Sequence, residues 1–246
     1  MKKLKVTQDR LHLLLQHSPA HSSALRPGQE RRASLHKAGF LGNPDRPFTW
    51  DNWDDSFNDL VPNGVERTVA QVLLDWLLDM QGDPAFKRYI WLHGPTGMGK
   101  THIASAVAVL WSLAYDVDAV YCNWATKLAE IKDSFNGWSA AEGLAAEQHA
   151  GILVMDDMGA ERVTLYNLEC LYRIVDSRRG RPTVFTSNYK VENYLKRLRC
   201  SDRRDDDKHA VRFQAEKIED RMQSGQGGYL LGEVQVQSKK GSYRRL

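Results

Sequence analysis

The sequence predicts an α/β fold, a parallel sheet covered by helices on both faces. Three observations carry that expectation. From Phe48 onward, apolar runs of strand length alternate with longer segments of helical period. The runs "YIWLHG", "GILVMDDMG" and "PTVFTSN" lack polar alternation, as strands covered on both sides do. A glycine-rich stretch, "HGPTGMGKTH", connects the first run to a helix.

Residues 1–46 stand apart. "HSPAHSSALRPGQERRASLHKAGFLGNPDRP" mixes Ser, Pro, Gly, His and Arg with little apolar period, which predicts an arm that orders on a partner. A short helix over residues 7–16 would carry Leu11, Leu14 and Leu15 on one edge. Residues 47–246 form the second expected unit. There "TVAQVLLDWLLDM" sets Val69, Val72, Leu73, Trp76, Leu77 and Met80 on one helical stripe. "YIWLHG" reads as the first strand, "KTHIASAVAVLWSLA" as a helix, "AVYCNW" as the second strand and "ATKLAEIKDSF" as a helix. "GILVMDDMG" is the third strand, and "LYNLECLYRIVDSRR" is an amphipathic helix through Leu165, Leu168, Leu171, Tyr172 and Val175. "PTVFTSN" is the fourth strand, opened by Pro182, and "YLKRLRCSDRRDDDKHAVR" reads as a mobile surface loop of mixed charge.

With 42% hydrophobic and 26% charged residues in 246, the chain can bury a substantial core. A formal net charge of +3 does not by itself imply nucleic-acid binding, so any such case rests on where the charge sits. Cys122, Cys170 and Cys200 are scattered, which predicts reduced thiols and neither a disulfide framework nor a zinc site. The apolar run near the start is too short for a signal peptide, and no stretch has the length of a membrane span. A cytoplasmic setting is the expectation.

"GPTGMGKT" fits G-x-x-x-x-G-K-[ST] and lies between a strand and a helix, as a phosphate-cradling loop must. Its glycines let successive N–H groups face phosphates at a helix N-terminus. Gly94, Pro95, Thr96, Gly97, Met98, Gly99, Lys100 and Thr101 are therefore the expected ATP-binding residues. Lys100 would reach the β- and γ-phosphates, and the Thr101 hydroxyl would ligate Mg²⁺. "ILVMDD" delivers Asp156 and Asp157 at the carboxyl end of a buried strand, where ligands bind in open α/β sheets. Asp156 would hold Mg²⁺ through water, and Asp157 would orient or deprotonate the attacking water. Many ATPases carry Glu at that second place, and Asp is one methylene shorter. Asn188, closing "VFTSN", would touch the γ-phosphate or the lytic water.

Together "GPTGMGKTHIASA", "GILVMDDMG", "IVDSRRGRPTVFTSN", "KIEDRM" and "GSYR" resemble the DnaC/IstB group of AAA+ ATPases. The length and the "FTWDNWD" run resemble its helicase-loader branch, and the similarity spans residue 47 to the end. The resemblance adds His102 to the nucleotide-binding set. It implies an ATP-dependent homo-oligomer with sites shared between subunits, one subunit lending a cation to the next. Lys217 and Arg221 both occupy basic positions of "AEKIEDRM"; a lysine lacks the planar fork, which favours Arg221. Arg244 matches the sensor arginine that acts on its own subunit's nucleotide. Asn123–Trp138 corresponds to a helical pair lining a single-stranded DNA channel, with Lys127, Lys132, Ser134 and Phe135 as the DNA-binding residues. The implied function is ATP-driven loading of a hexameric replicative helicase onto single-stranded DNA, with hydrolysis driving release. An IstB-like transposition helper, a small-substrate P-loop kinase and an ATP-binding adaptor with little hydrolysis remain as alternatives.

Overall fold

The structure, a computed structural model, describes residues 69–82, 88–133, 140–200, 208–223 and 232–236. The expected arm, residues 47–68, Ser134, Phe135 and Arg244 lie outside them.

Five parallel strands form one sheet: β1 (Tyr89–His93), β2 (Ala119–Asn123), β3 (Ile152–Met158), β4 (Thr183–Ser187) and β5 (Gly232–Gln235), in the order β2-β3-β4-β1-β5. The helices are α1 (Val69–Gly82), α2 (Lys100–Tyr115), α3 (Trp124–Asp133), α4 (Ala140–Gly143), α5 (Ala145–His149), α6 (Leu165–Ser177), α7 (Val191–Leu198) and α8 (Lys208–Gln223). Alternation along the strands sorts the core into two layers. Ile90, Leu92, Ile152, Val154, Val184 and Val234 point to α1 and α2. Tyr89, Trp91, Leu153, Met155 and Phe185 point to α3, α6, α7 and α8. The three central strands β1, β3 and β4 are buried on both faces, so they read as continuous apolar runs.

The expected stripe of α1 is confirmed: Val69, Leu73, Trp76, Leu77 and Met80 are buried, with Val72 packed alongside. Helix α6 is entered through Thr164, whose hydroxyl accepts the Asn167 N–H at 3.2 Å and satisfies a donor of the first turn. Helix α2 starts after Gly99 and stops at Asp116, both in the left-handed region (φ 81° and 54°).

Three expectations need correction. The sheet has a fifth strand: the short segment Gly232–Gln235 pairs with β1 through Ile90↔Gly232 to His93↔Gln235. Trp124 opens α3 and does not close β2, because its indole packs into the core beside Leu128 and Ile131. Much of the stretch read as a mobile loop is helical. Tyr194, Leu195 and Leu198 of α7 and Val211 of α8 are buried at helical spacing, and this apolar face outweighs the charges around it.

Candidate functional site

The nucleotide loop runs from the end of β1 into the first turn of α2. Gly94, Gly97 and Gly99 have φ of 150°, 84° and 81°, where a side chain is strained. At Gly94 there is also no room: a Cβ would lie 2.2 Å from the Val236 carbonyl oxygen. The adjoining Val236 N–H donates to the His93 carbonyl at 2.7 Å, so β5 backs the loop directly. Met98 is in the core with Ile103 and Leu92 and anchors the loop from beneath. It can therefore offer a nucleotide only its backbone. Pro95 and Thr96 form the exposed crest, and His102 lies half-buried in the first turn of α2.

Lys100 is buried, and its Nζ donates to the Gly94 carbonyl (2.8 Å), the Pro95 carbonyl (2.9 Å) and Asn188 Oδ1 (2.9 Å). The ammonium thus joins the loop to the tip of β4. Two residues of the expected set, distant in sequence, meet on one cation.

The other meeting point is Asp156, at the end of β3. Among the described residues three hydroxyls donate to its carboxylate: Thr101 to Oδ1 at 2.9 Å, Thr186 to Oδ1 at 2.5 Å and Tyr121 to Oδ2 at 2.6 Å. Burial, and then the Asp156 charge, push the Tyr121 phenol well above its usual range, so it remains a donor. The pairing of β3 with β4 shifts register between Met155 and Met158, and there Asp157 adopts φ 59°. Its N–H donates to Thr186 Oγ1 at 3.0 Å, and the residue itself is exposed. The irregularity separates the neighbouring acids, one turned in to the hydroxyls and the other left in solvent.

The loops beyond β3 and β4 are tied together. The Ser187 hydroxyl donates to the Met158 carbonyl (2.6 Å), and Trp91 Nε1 donates to the Tyr189 carbonyl (2.9 Å). Buried Glu161 accepts from the Gly159 N–H (2.6 Å) and the Tyr194 hydroxyl (3.0 Å). Burial raises the Glu161 carboxyl above the usual range, and these donors oppose the shift. Tyr121 and Glu161 were both missed by sequence reasoning. Neither stands in a motif, and only three-dimensional pairing brings them to the site.

Arg221 lies elsewhere. Its Nε donates to Asp176 Oδ1 and its Nη1 to Asp220 Oδ2, both at 2.7 Å, with the Tyr172 ring 5.9 Å from the guanidinium. Asp176 is in the last turn of α6, which descends from the end of β3 toward the start of β4. Arg221 therefore sits toward the end of the sheet opposite the nucleotide loop. Lys217, one turn earlier on α8, lies 4.4 Å from the Phe213 ring centroid.

Of the residues expected at DNA, Lys127 is engaged within the fold. Its Nζ is 2.8 Å from Glu147 Oε1, a carboxylate whose side chain is only 4% exposed. Withdrawing the lysine would leave a buried charge unpaired, so this side chain serves the packing of α3 on α5. Lys132 is exposed, with Nζ 5.9 Å from the Tyr166 ring centroid.

A magnesium ion fits the donors at β3. Thr101 and Asp156 supply hard oxygens side by side, and magnesium is commonly held by one or two such groups with phosphate and water. Among the described residues no cluster of three or more His, Cys, Asp or Glu forms an alternative metal cage. No helix among them is long and apolar enough to cross a membrane.

Residues 85–203 match the family described as IstB-like ATP binding protein. An ATP-binding protein in an insertion sequence of Mycobacterium tuberculosis is 26% identical over 148 residues, 59% of this chain and 55% of the relative. The chain thus spans about half the length of that relative. Among solved structures, DnaI superposes with a TM-score of 0.52 at 20% identity, covering 76% of this chain and 90% of that one. The replication initiator DnaA bound to AMPPCP and single-stranded DNA superposes at 0.52 with 15% identity, covering 79% and 51%. At these identities the structural likeness establishes the fold, and the family match supplies the nucleotide. Residues 85–203 are thus similar to the IstB-like ATP binding family, on a parallel sheet flanked by helices that has the fold of DnaI and DnaA.

Proposed function

We propose that this protein is an ATP-hydrolysing switch that assembles with copies of itself on single-stranded DNA and loads a hexameric replicative helicase. Residues 1–46 form the grip on the helicase, and residues 47–246 form the motor. The observation that carries the ATPase reading is the convergence at the ends of β1, β3 and β4, where Lys100 binds Asn188 and Thr101 binds Asp156.

In this reading ATP draws Lys100 from the Gly94 and Pro95 carbonyls to its β- and γ-phosphates. Thr101 and Asp156 would hold magnesium, which when bound would neutralise phosphate charge. Asp157, exposed beyond the irregularity of β3, orients the attacking water and accepts its proton, while Asn188 contacts the γ-phosphate. Arg221 bonds Asp176 and Asp220, away from the Lys100–Asn188 and Thr101–Asp156 convergence, which supports a role on the nucleotide of a neighbouring copy. Its bonds to Asp176 and Asp220 hold it in place at that surface. A trans arginine is worth roughly 10³–10⁵ in rate in related phosphoryl transfer, which makes slow turnover of the isolated monomer the expectation. Lys132 and the expected residues Ser134 and Phe135 follow the DNA strand, and Arg244 senses the nucleotide within its own subunit.

A second reading is favoured by the family match and by the mycobacterial relative, whose description places it in an insertion sequence. The same switch would then remodel a transposase–DNA complex, with the basic arm (Arg26, Arg31, Arg32, Lys37) on duplex DNA.

Hydrolysis is tested with Lys100→Ala and Asp157→Asn, with and without single-stranded DNA. The first should abolish ATP binding; the second should keep binding and stop turnover. Wild-type turnover by Asp157→Asn would refute the assignment of Asp157. Arg221→Ala should lose only DNA-stimulated turnover and regain part of it when mixed with Asp157→Asn. Capture of a cognate hexameric helicase, lost on deleting residues 1–46, selects the loader. Capture of a transposase and duplex DNA selects the second reading.

A further inference from the structure

The Asp156 carboxylate is held from three separate elements: Thr101 from α2, Thr186 from β4 and Tyr121 from β2. The first two belong to segments already assigned to nucleotide chemistry. Tyr121 belongs to none, and sequence reasoning had placed it only as a strand residue.

Its reach follows from register. Asn123 is the Cα partner of Asp156 and Tyr121 that of Val154, so in this parallel pair Tyr121, Val154 and Asp156 share one face of the sheet. That face packs on α2, the helix that begins with Lys100 and Thr101. The Tyr121 ring crosses diagonally to the next residue pair and places its hydroxyl 2.6 Å from Asp156 Oδ2.

A carboxylate offers about four lone-pair positions. Thr101 and Thr186 take two on Oδ1, and Tyr121 takes one on Oδ2. The Thr186 donor is itself oriented, because its oxygen accepts the Asp157 N–H and its proton is left for Asp156. Without Tyr121, Oδ2 would have no protein donor among the described residues, and the carboxylate would be fixed at one oxygen only.

We propose that Tyr121 is a positioning residue for the metal–nucleotide complex: its phenol O–H clamps Asp156 Oδ2, so that the carboxylate keeps one orientation and one open acceptor position for metal-bound water. This rests on the reading of Asp156 as the magnesium-side carboxylate. Tyr121 does not touch nucleotide or metal in this scheme; it acts through Asp156.

The test is Tyr121→Phe, which keeps the ring, in the full-length protein. Mn²⁺ binding in the presence of ATP is followed by electron paramagnetic resonance, and ATP affinity in EDTA is followed by a fluorescent ATP analogue. Losing a hydrogen bond to a charged group predicts Mn²⁺ affinity weakened about tenfold, with metal-free ATP affinity unchanged. In an Asp156→Asn background, Tyr121→Phe should add nothing to the loss of Mn²⁺ affinity. Wild-type Mn²⁺ affinity in Tyr121→Phe, alongside a weakened Asp156→Asn, overturns the role of Tyr121 and leaves the metal site standing. An equal loss in both backgrounds also overturns it, because Tyr121 would then not act through Asp156. If Asp156→Asn itself binds Mn²⁺ as wild type does, the metal site is wrongly assigned and the proposal falls with it. Thermal melting without nucleotide checks that the hydroxyl, and not the fold, was removed.

Discussion

Two buried carboxylates, Asp156 and Glu147, are held in opposite ways. Asp156 is surrounded by hydroxyls, and among the described residues no lysine or arginine is bonded to it. Glu147 is paired with the Lys127 ammonium, while its Oε2 finds no hydrogen-bond donor among the described residues. Hydroxyls satisfy lone pairs without cancelling charge, the arrangement that the proposed role of Asp156 toward a cation requires. Lys127 cancels the charge of Glu147, and what remains is structural. Buried Arg178 beside Glu147 is the counterpart of Asp156 with the sign reversed. Its guanidinium donates to the carbonyls of Glu147, Ala150 and Pro182 and to the Thr183 hydroxyl. Burial lowers its pKa to about 9, yet neutral acceptors keep it a cation at neutral pH. Burial alone therefore does not mark a functional acid; the chemistry of its partners does.

The largest expected effect lies at Glu147. Lys127→Met strands a buried carboxylate and should cost about 3 kcal/mol in chemical denaturation, whereas Lys127→Met with Glu147→Leu should recover most of it. Asp156→Asn should cost less than about 1 kcal/mol, since the surrounding hydroxyls can rotate to suit an amide. If Lys127→Met melts with the wild type, the contrast between the two acids collapses.

A smaller effect separates the two ends of the sheet by pH. Burial holds His93, next to the nucleotide loop, below its ordinary 6.5, although Glu233 at 3.4 Å opposes the shift. The unfolded chain then takes up that proton first, so this contribution is intact above 6.5 and is lost as pH falls through the lower native value. At the far end, the bond from Arg221 holds the Asp176 carboxyl below 3.8. Its contribution is intact above 3.8 and is lost only on further acidification. Melting curves against pH should show both windows, His93→Gln removing the upper and Asp176→Asn the lower. A single unchanged profile in both variants would refute the separation.

The smallest effect concerns DNA. Lys132→Ala should reduce the salt dependence of ATP-dependent single-strand binding by about 0.7 in log–log slope, if each subunit uses it on one phosphate. A folded Lys127 variant, such as the double replacement with Glu147→Leu, should leave that slope alone. A reduced slope there would return Lys127 to the DNA surface.

Much of this was legible in the sequence, for reasons that particular residues make plain. Gly94 to Thr101 and Ile152 to Asp157 are local motifs whose backbone demands are written in consecutive residues. Asn188 was readable from its place at a strand tip. Tyr121 and Glu161 were not, since each acts on a partner 35 or 33 residues away through pairing that composition does not encode. The partner of Lys127 was hidden likewise, because Glu147 belongs to the short helix α5, which carries little periodic signal. Strand β5 escaped notice for its brevity, and α7 because charges at Glu192, Lys196 and Arg197 mask a buried face of Val191, Tyr194, Leu195 and Leu198.

The contact between Gly94 and Val236 sets an order of events in synthesis. The nucleotide loop emerges from the ribosome about 140 residues before the strand that seals its back. Until that strand arrives, β1 is an open edge, and the loop lacks both the wall at Gly94 and the hydrogen bond at His93. A nascent chain stalled before residue 232 would carry the complete motif and still lack a finished binding site. ATP would then report on completed molecules alone.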